Sequence, residues 1–218
     1  MSGNYVINIG RQLGSGGKEI GEKLAARLGI DFYDKELINL ASEESGLCKE
    51  FFEKADEKAS QGIIGGLFGM RFPFISEGAM PCNNCLSNDA LFKVQSDVIR
   101  HLAAEKSCVF VGRCADYILE QAKIDHISLF IAAPFEWRVK RKMEQLSIDE
   151  KSATAMVRKK DKDGKAYYDY YTGRNWGRPY EYDLCINSSR LGIEVTAEKL
   201  AEMVLQLEKG TSSVDFGL

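Results

Sequence analysis

Between Gly10 and Glu19 the chain reads Gly-Arg-Gln-Leu-Gly-Ser-Gly-Gly-Lys-Glu. Glycines at 14, 16 and 17 free the backbone to turn its N–H groups toward one point. The apolar residues that follow, Ile20, Leu24 and Leu28 with Ala25 beside them, have helical spacing, so a helix begins near Lys18. A helix N-terminus adds partial positive charge, and a lysine there adds a full one. This is chemistry for an anion with several oxygens, a chain of phosphates. Gly14, Ser15, Gly16, Gly17, Lys18 and Glu19 are the candidate phosphate-binding residues. The strict phosphate-loop pattern G-x-x-x-x-G-K-[ST] is met at Gly17-Lys18 only: Gln12 stands at its first glycine, and Glu19 at the hydroxyl residue that supports Mg²⁺. The alternative is a tight strand-to-helix turn with no ligand, which needs fewer glycines.

Other candidates follow the predicted strands. Asp34 ends the second, at the edge where open α/β sheets bind ligands. It either orients an acceptor or Mg²⁺, or caps a helix over 35–40. Arg113 follows the third strand and either clamps a phosphate through two hydrogen bonds or makes a surface ion pair. Arg138, Arg141 and Gln145 share a helix face opposite an apolar stripe, which either turns to phosphate or is solvated. Arg158 and Lys165 bound a basic stretch. The Tyr167, Tyr168, Tyr170, Tyr171 and Trp176 group packs locally or at a homodimer contact, or stacks on a base.

The elements that must position these residues alternate. Apolar runs at Tyr5–Ile9, Ile30–Tyr33, Ser107–Val111, His126–Ala132 and Tyr182–Ile186 read as five strands. Helical spacing separates them, so the expected fold is α/β, a parallel five-stranded sheet with helices on both faces. Within a single domain over 1–218, residues 49–105 read as an insertion. It holds a charged helix at Lys49–Lys58, a glycine-rich apolar flap over 62–85 and a helix over Leu86–Ala104 striped by Leu91, Val94, Val98 and Leu102. Phe135, Val139, Met143 and Leu146 stripe a further helix. Ser147-Ile-Asp-Glu150 predicts a capping box, Asp161–Pro179 a flexible arm, Thr196 the cap of a last helix, and 210–218 a tail.

With 29 basic and 32 acidic residues, net charge −3, the composition gives no polyanion-binding field, so nucleic acid is not an expected partner. No apolar run approaches the roughly 18 residues of a membrane span. The opening Met-Ser-Gly-Asn-Tyr has no basic or long apolar leader, which together point to the cytoplasm. Cys108, Cys114 and Cys185 read as small hydrophobes in or beside strands. Cys82 and Cys85 have metal-site spacing but no second pair, and are either half a zinc site or free thiols.

The chain resembles the cytidylate-kinase-like family of P-loop kinases. The resemblance rests on Gly10–Gly21, on Leu28-Gly-Ile-Asp-Phe-Tyr-Asp-Lys-Glu-Leu37, on Val109-Phe-Val-Gly-Arg-Cys-Ala-Asp116 and on Tyr182-Asp-Leu-Cys-Ile-Asn-Ser-Ser189. It implies phosphoryl transfer from ATP with Mg²⁺ to a small nucleotide acceptor such as CMP or dCMP, bound by the insertion and covered by a lid region over 147–180, where Arg158 and Lys165 would cover developing charge. It implies catalytic roles for Lys18, Arg113, Arg141 and Arg158, and acceptor contacts from Asp34, Arg113 and Asp116. Cys114 replaces the aspartate of the Gly-Arg-Asp turn of cytidylate kinases. Two other functions fit the residues: a nucleotide sensor without turnover, motivated by Glu19, Cys114 and the lysine-rich lid, and an interaction protein docking a partner through Ile63–Met80.

Overall fold

The computed structural model describes residues 5–34 and 88–210. The expected helices at 35–40 and Lys49–Lys58, the flap over 62–85, the Cys82/Cys85 pair and the tail beyond 210 lie outside the described residues.

Five strands form one parallel sheet: β1 (Val6–Arg11), β2 (Asp31–Tyr33), β3 (Cys108–Val111), β4 (Ile127–Ala132) and β5 (Leu184–Asn187), in the order β2-β3-β1-β4-β5. Val6 pairs with Cys108, Ile7 with Ile127, Tyr33 with Phe110 and Phe130 with Cys185. The apolar runs are continuous because helices cover both faces. Alternate residues serve the two layers. Val6, Cys108 and Phe110 pack with α2 (Asn88–Glu105) and α3 (Ala115–Gln121) through Ile99, Leu102, Ile118 and Leu119. Ile7, Ile9, Val109, Val111, Leu129 and Ile131 pack on the opposite face with α1 (Gly17–Leu28) and α6 (Ser188–Gly210). At Gly21 α1 packs close on the sheet: a Cβ there would lie 3.1 Å from side-chain atoms of Ile9, Phe32 and Val111.

Two helices complete the chain, α4 (Phe135–Leu146) and α5 (Glu150–Thr172). The expected flexible arm over Asp161–Pro179 is instead mostly the second half of α5, one continuous helix. Its lysines and alanines are good helix formers, and its inward residues face two different partners. Ala153 and Val157 pack on Val139 of α4; Tyr167 and Tyr168 pack on Cys114 at the start of α3. The helix stops at Gly173, whose φ of 67° and N–H to the Asp169 carbonyl make a left-handed cap.

Three local expectations are corrected. Asp149 caps α5, accepting the Ser152 N–H at 3.0 Å, whereas Ser147 ends α4 at a φ of 52°. Thr196 lies inside α6, its hydroxyl donating to the Gly192 carbonyl four residues back. A backbone break at Gly192 separates a first turn at 188–191 from the rest. The last strand starts at Leu184, because Pro179–Glu181 forms a 3₁₀ turn and the Asp183 N–H and carboxylate pair with Ser128. Leu146, expected on the apolar stripe of α4, is exposed, and so is Cys185 on β5, while Cys108 and Cys114 are buried as expected.

Candidate functional site

The glycine loop leaves β1 and enters α1 directly. Gly14 and Gly16 both stand at φ 81°, the left-handed region that a β-carbon disfavours. At Gly14 a Cβ would also meet the Arg138 carbonyl oxygen at 2.9 Å. The Ser15 N–H and hydroxyl both donate to the Gln12 carbonyl, at 3.2 and 2.8 Å, which closes the loop on itself. Gln12 also ties the loop to the end of β4. Its amide oxygen accepts the Ala133 N–H at 3.2 Å, and its N–H donates to Ile131 at 3.1 Å. From behind, the buried Ser188 hydroxyl donates to the Ser15 carbonyl at 2.6 Å. Gly16 caps α1 and has no side chain of its own to bond the first turn; the Gly17 N–H there donates to the Ser15 hydroxyl at 3.4 Å, and the helix N-terminus supplies the partial positive charge that suits a phosphate.

The loop is gripped from outside by a pair. Arg138, 4% exposed, donates to the carbonyls of Ala133 and Leu13, both at 3.0 Å, and to Asp161 of α5 at 2.5 Å. Asp161 in turn accepts the Leu13 N–H at 2.9 Å. Both polar groups of the Leu13 residue are therefore held. Arg138 is not on a solvated or phosphate-facing surface; it is a buried clamp, because its guanidinium reaches three acceptors that α4 alone could not supply.

Beyond the loop, charge gathers at the C-terminal edge of the sheet. Lys18 Nζ lies 3.1 Å from Asp34 and 3.7 Å from Glu22, and Arg11 lies 3.8 Å from Asp34. Arg11 runs under the turn at Gly112, where a Cβ would come 2.2 Å from its Nη1. Burial lowers the Arg11 guanidinium pKa, Asp34 opposes that, and the Arg113 charge adds to it. Arg113 is buried rather than a surface ion-pair residue, and its backbone is left-handed at φ 60°, between Gly112 at 80° and Cys114 at 56°. A run of three such residues, two with side chains, is strained backbone kept at a sheet edge. The structure thus brings Lys18, Asp34 and Arg113 together and adds Arg11, which the residue pattern did not single out. Its only signal was its place between the strand and the loop.

The other expected residues sit elsewhere. Glu19 accepts from Arg141 and from Gln145, the latter at 3.1 Å. Burial raises the Glu19 carboxyl pKa, but the hydrogen bond and charge of Arg141 outweigh it and the pKa is lowered. Arg141 and Gln145 therefore do face the loop's helix, as a brace on Glu19. Arg158 stands 5.2 Å over the Phe135 ring on the α4–α5 contact, and Lys165 pairs with Asp169 along α5. Asp116 is 3% exposed and accepts the Tyr168 hydroxyl at 2.5 Å, which ties α3 to α5. Burial raises its carboxyl pKa; the Tyr168 hydroxyl, the Tyr117 N–H, Arg174 and His126 oppose. The tyrosines pack inward with Phe92 and Tyr117, apart from Tyr170, which is exposed. Among the described residues no group of three or more His, Cys, Asp or Glu is placed to hold a metal by itself.

The model of a family described as cytidylate kinase-like matches residues 6–190. No curated protein is significantly similar in sequence. Among solved structures, an uncharacterized protein from Eubacterium ventriosum is 29% identical with a TM-score of 0.62, over 94% of this chain and 99% of that one. Shikimate kinase from Bacteroides thetaiotaomicron is 11% identical with a TM-score of 0.52, over 93% and 98%, a likeness of fold. No helix of the described residues is long and apolar enough to cross a membrane.

Two measurements check this geometry. Asp161→Ala leaves a buried guanidinium unpaired and is expected to lower stability by about 3–5 kcal/mol in denaturant unfolding; a loss under about 1 kcal/mol would mean the clamp does not hold the loop. Asp116 binds its proton more readily folded than unfolded. Stability is therefore expected to fall as pH rises from the unfolded carboxyl value, about 3.9, to the raised folded one, and to level off above it. Asp116→Asn should flatten that window; an unchanged slope would place the effect on another group.

Proposed function

The chain belongs to the cytidylate kinase-like family, and on that premise we propose that it moves the terminal phosphoryl group of ATP to a nucleoside monophosphate, CMP or dCMP foremost. Family membership supports ATP-dependent phosphoryl transfer. The acceptor is our reading of the site. The observation that carries it is the gathering of Arg11, Lys18 and Arg113 around Asp34 at the mouth of the glycine loop. Phosphoryl transfer needs reactants held in line and negative charge neutralised more than it needs covalent help.

The residues fit ATP. The N-terminus of α1 and the left-handed Gly14 and Gly16 suit the donor's phosphates. Lys18 exchanges Asp34 for phosphate oxygens. Mg²⁺ in such sites keeps waters, phosphate oxygens and one or two carboxylates, so a dedicated protein cage is not needed; Asp34 is the carboxylate we assign to it or to the acceptor. When bound, Mg²⁺ would neutralise charge on the phosphates. Arg113 lies across the edge from Lys18 and suits the phosphate of the acceptor, with Arg11 beneath it. Arg141 acts through Glu19 to fix the start of α1, and Arg158 on α5 serves only if that helix moves over the site.

One observation favours a second reading, a sensor that binds nucleotide without turnover. Glu19 stands where a hydroxyl would support the ion, and Arg141 and Gln145 engage its carboxylate.

ADP release with Mg-ATP and a panel of CMP, dCMP, UMP, AMP, GMP and simple alcohols separates the two. Turnover with a pyrimidine monophosphate is expected; tight ATP binding with no turnover would favour the sensor. Lys18→Ala is expected to cut turnover about 10²- to 10³-fold, and near-normal activity would remove the phosphate-loop assignment. Arg113→Ala should raise the acceptor KM about ten- to a hundredfold with little change in the KM for ATP; equal effects on both would take Arg113 off the acceptor.

A further inference from the structure

Gln95 of α2 is 1% exposed, yet neither its amide nitrogen nor its carbonyl oxygen has a hydrogen-bond partner. Burying an unpaired carboxamide is costly, and a leucine would fill the same space without that cost. Its position suggests what the cost serves. Phe92, three residues earlier, stacks on Tyr171 with ring centroids 4.1 Å apart and meets Tyr167 edge-on at 6.5 Å. These rings cluster with Cys114, the neighbour of Arg113. Ile99, four residues later, is buried with Tyr33 and Phe110, and Tyr33 precedes Asp34. Residues 92, 95 and 99 share one helix face. Gln95 thus lies between the two groups of side chains that adjoin Arg113 and Asp34.

We infer that Gln95 selects the acceptor by pairing its carboxamide with an adjacent donor and acceptor on a planar heterocycle, the edge of a pyrimidine nucleobase. The inference rests on the nucleotide-acceptor reading above and deepens it. A phosphate only accepts hydrogen bonds and would leave the Gln95 oxygen unpaired. A cytosine edge offers an amino donor beside a ring-nitrogen acceptor, so both orphaned atoms are met at once. The aromatic side chains Phe92, Tyr167 and Tyr171 beside it favour a flat ligand.

The test is the acceptor panel and calorimetric binding of the same monophosphates, with wild type, Gln95→Leu and Gln95→Glu. Gln95→Leu is expected to weaken binding and raise the KM of the preferred monophosphate about ten- to a hundredfold, leave the KM for ATP unchanged and narrow the preference among bases. Gln95→Glu, which cannot donate when ionised, should shift preference toward bases presenting donors. If Gln95→Leu raises the melting temperature and leaves both acceptor affinity and base preference unaltered, Gln95 is a buried residue without a reading role and the inference falls alone. If wild type binds none of the monophosphates, or turns over only simple alcohols, the nucleotide reading falls and the base-edge inference with it.

Discussion

The Arg138–Asp161 pair holds the one segment of this chain that cannot hold itself. A loop that is to bind phosphate must leave N–H groups of its own unsatisfied, and so gives up the backbone hydrogen bonds that would fix its shape. Here the fixing comes from elsewhere. Arg138 and Asp161 take both polar groups of Leu13, Gln12 anchors the loop to β4, and Ser188 props it from α6. A buried ion pair gives little net stability against an apolar alternative, but it fixes direction. Direction is what the loop needs.

The same reasoning explains the strained turn at Gly112, Arg113 and Cys114. Two arginines and a lysine at one sheet edge repel one another, and the carboxylates of Asp34 and Glu22 offset part of that repulsion. These cations, together with the N-terminus of α1, give the edge the positive character that an anion would favour. Left-handed backbone at Arg113 keeps its guanidinium buried at that edge rather than free in solvent. The cost of strain and of desolvation falls on the protein before it binds, and bound phosphate relieves the electrostatic part.

Much of this was legible in the sequence. Four-to-seven-residue apolar runs announce strands buried on both faces, and the glycine loop sits between a strand and a helix, where its residue types suit an anion better than an empty turn. What stayed hidden depended on partners far along the chain. Arg138 sits on what looks like a polar helix face until Asp161, on the next helix, supplies its counter-charge. The charge and tyrosine pattern of 161–172 resembles a loop because its inward face changes partner midway, from α4 to the turn at Cys114, so no single stripe runs its length. Asp116 looked available as an acceptor ligand, but Tyr168 claims it. Gln95 gave no signal at all: a glutamine on a helix is usually solvated, and only burial makes it conspicuous.

The continuity of α5 has a mechanical consequence. At 1.5 Å per residue its 23 residues make a rod about 35 Å long. Asp161, close to its midpoint, is pinned to the phosphate loop. Any tilt of the rod about that pin swings its two ends in opposite senses, so the half packed on α4 and the aromatic half bearing Tyr167 and Tyr171 move as the two arms of one lever. Motion at one end is then geared to motion at the other through a single fulcrum on the loop.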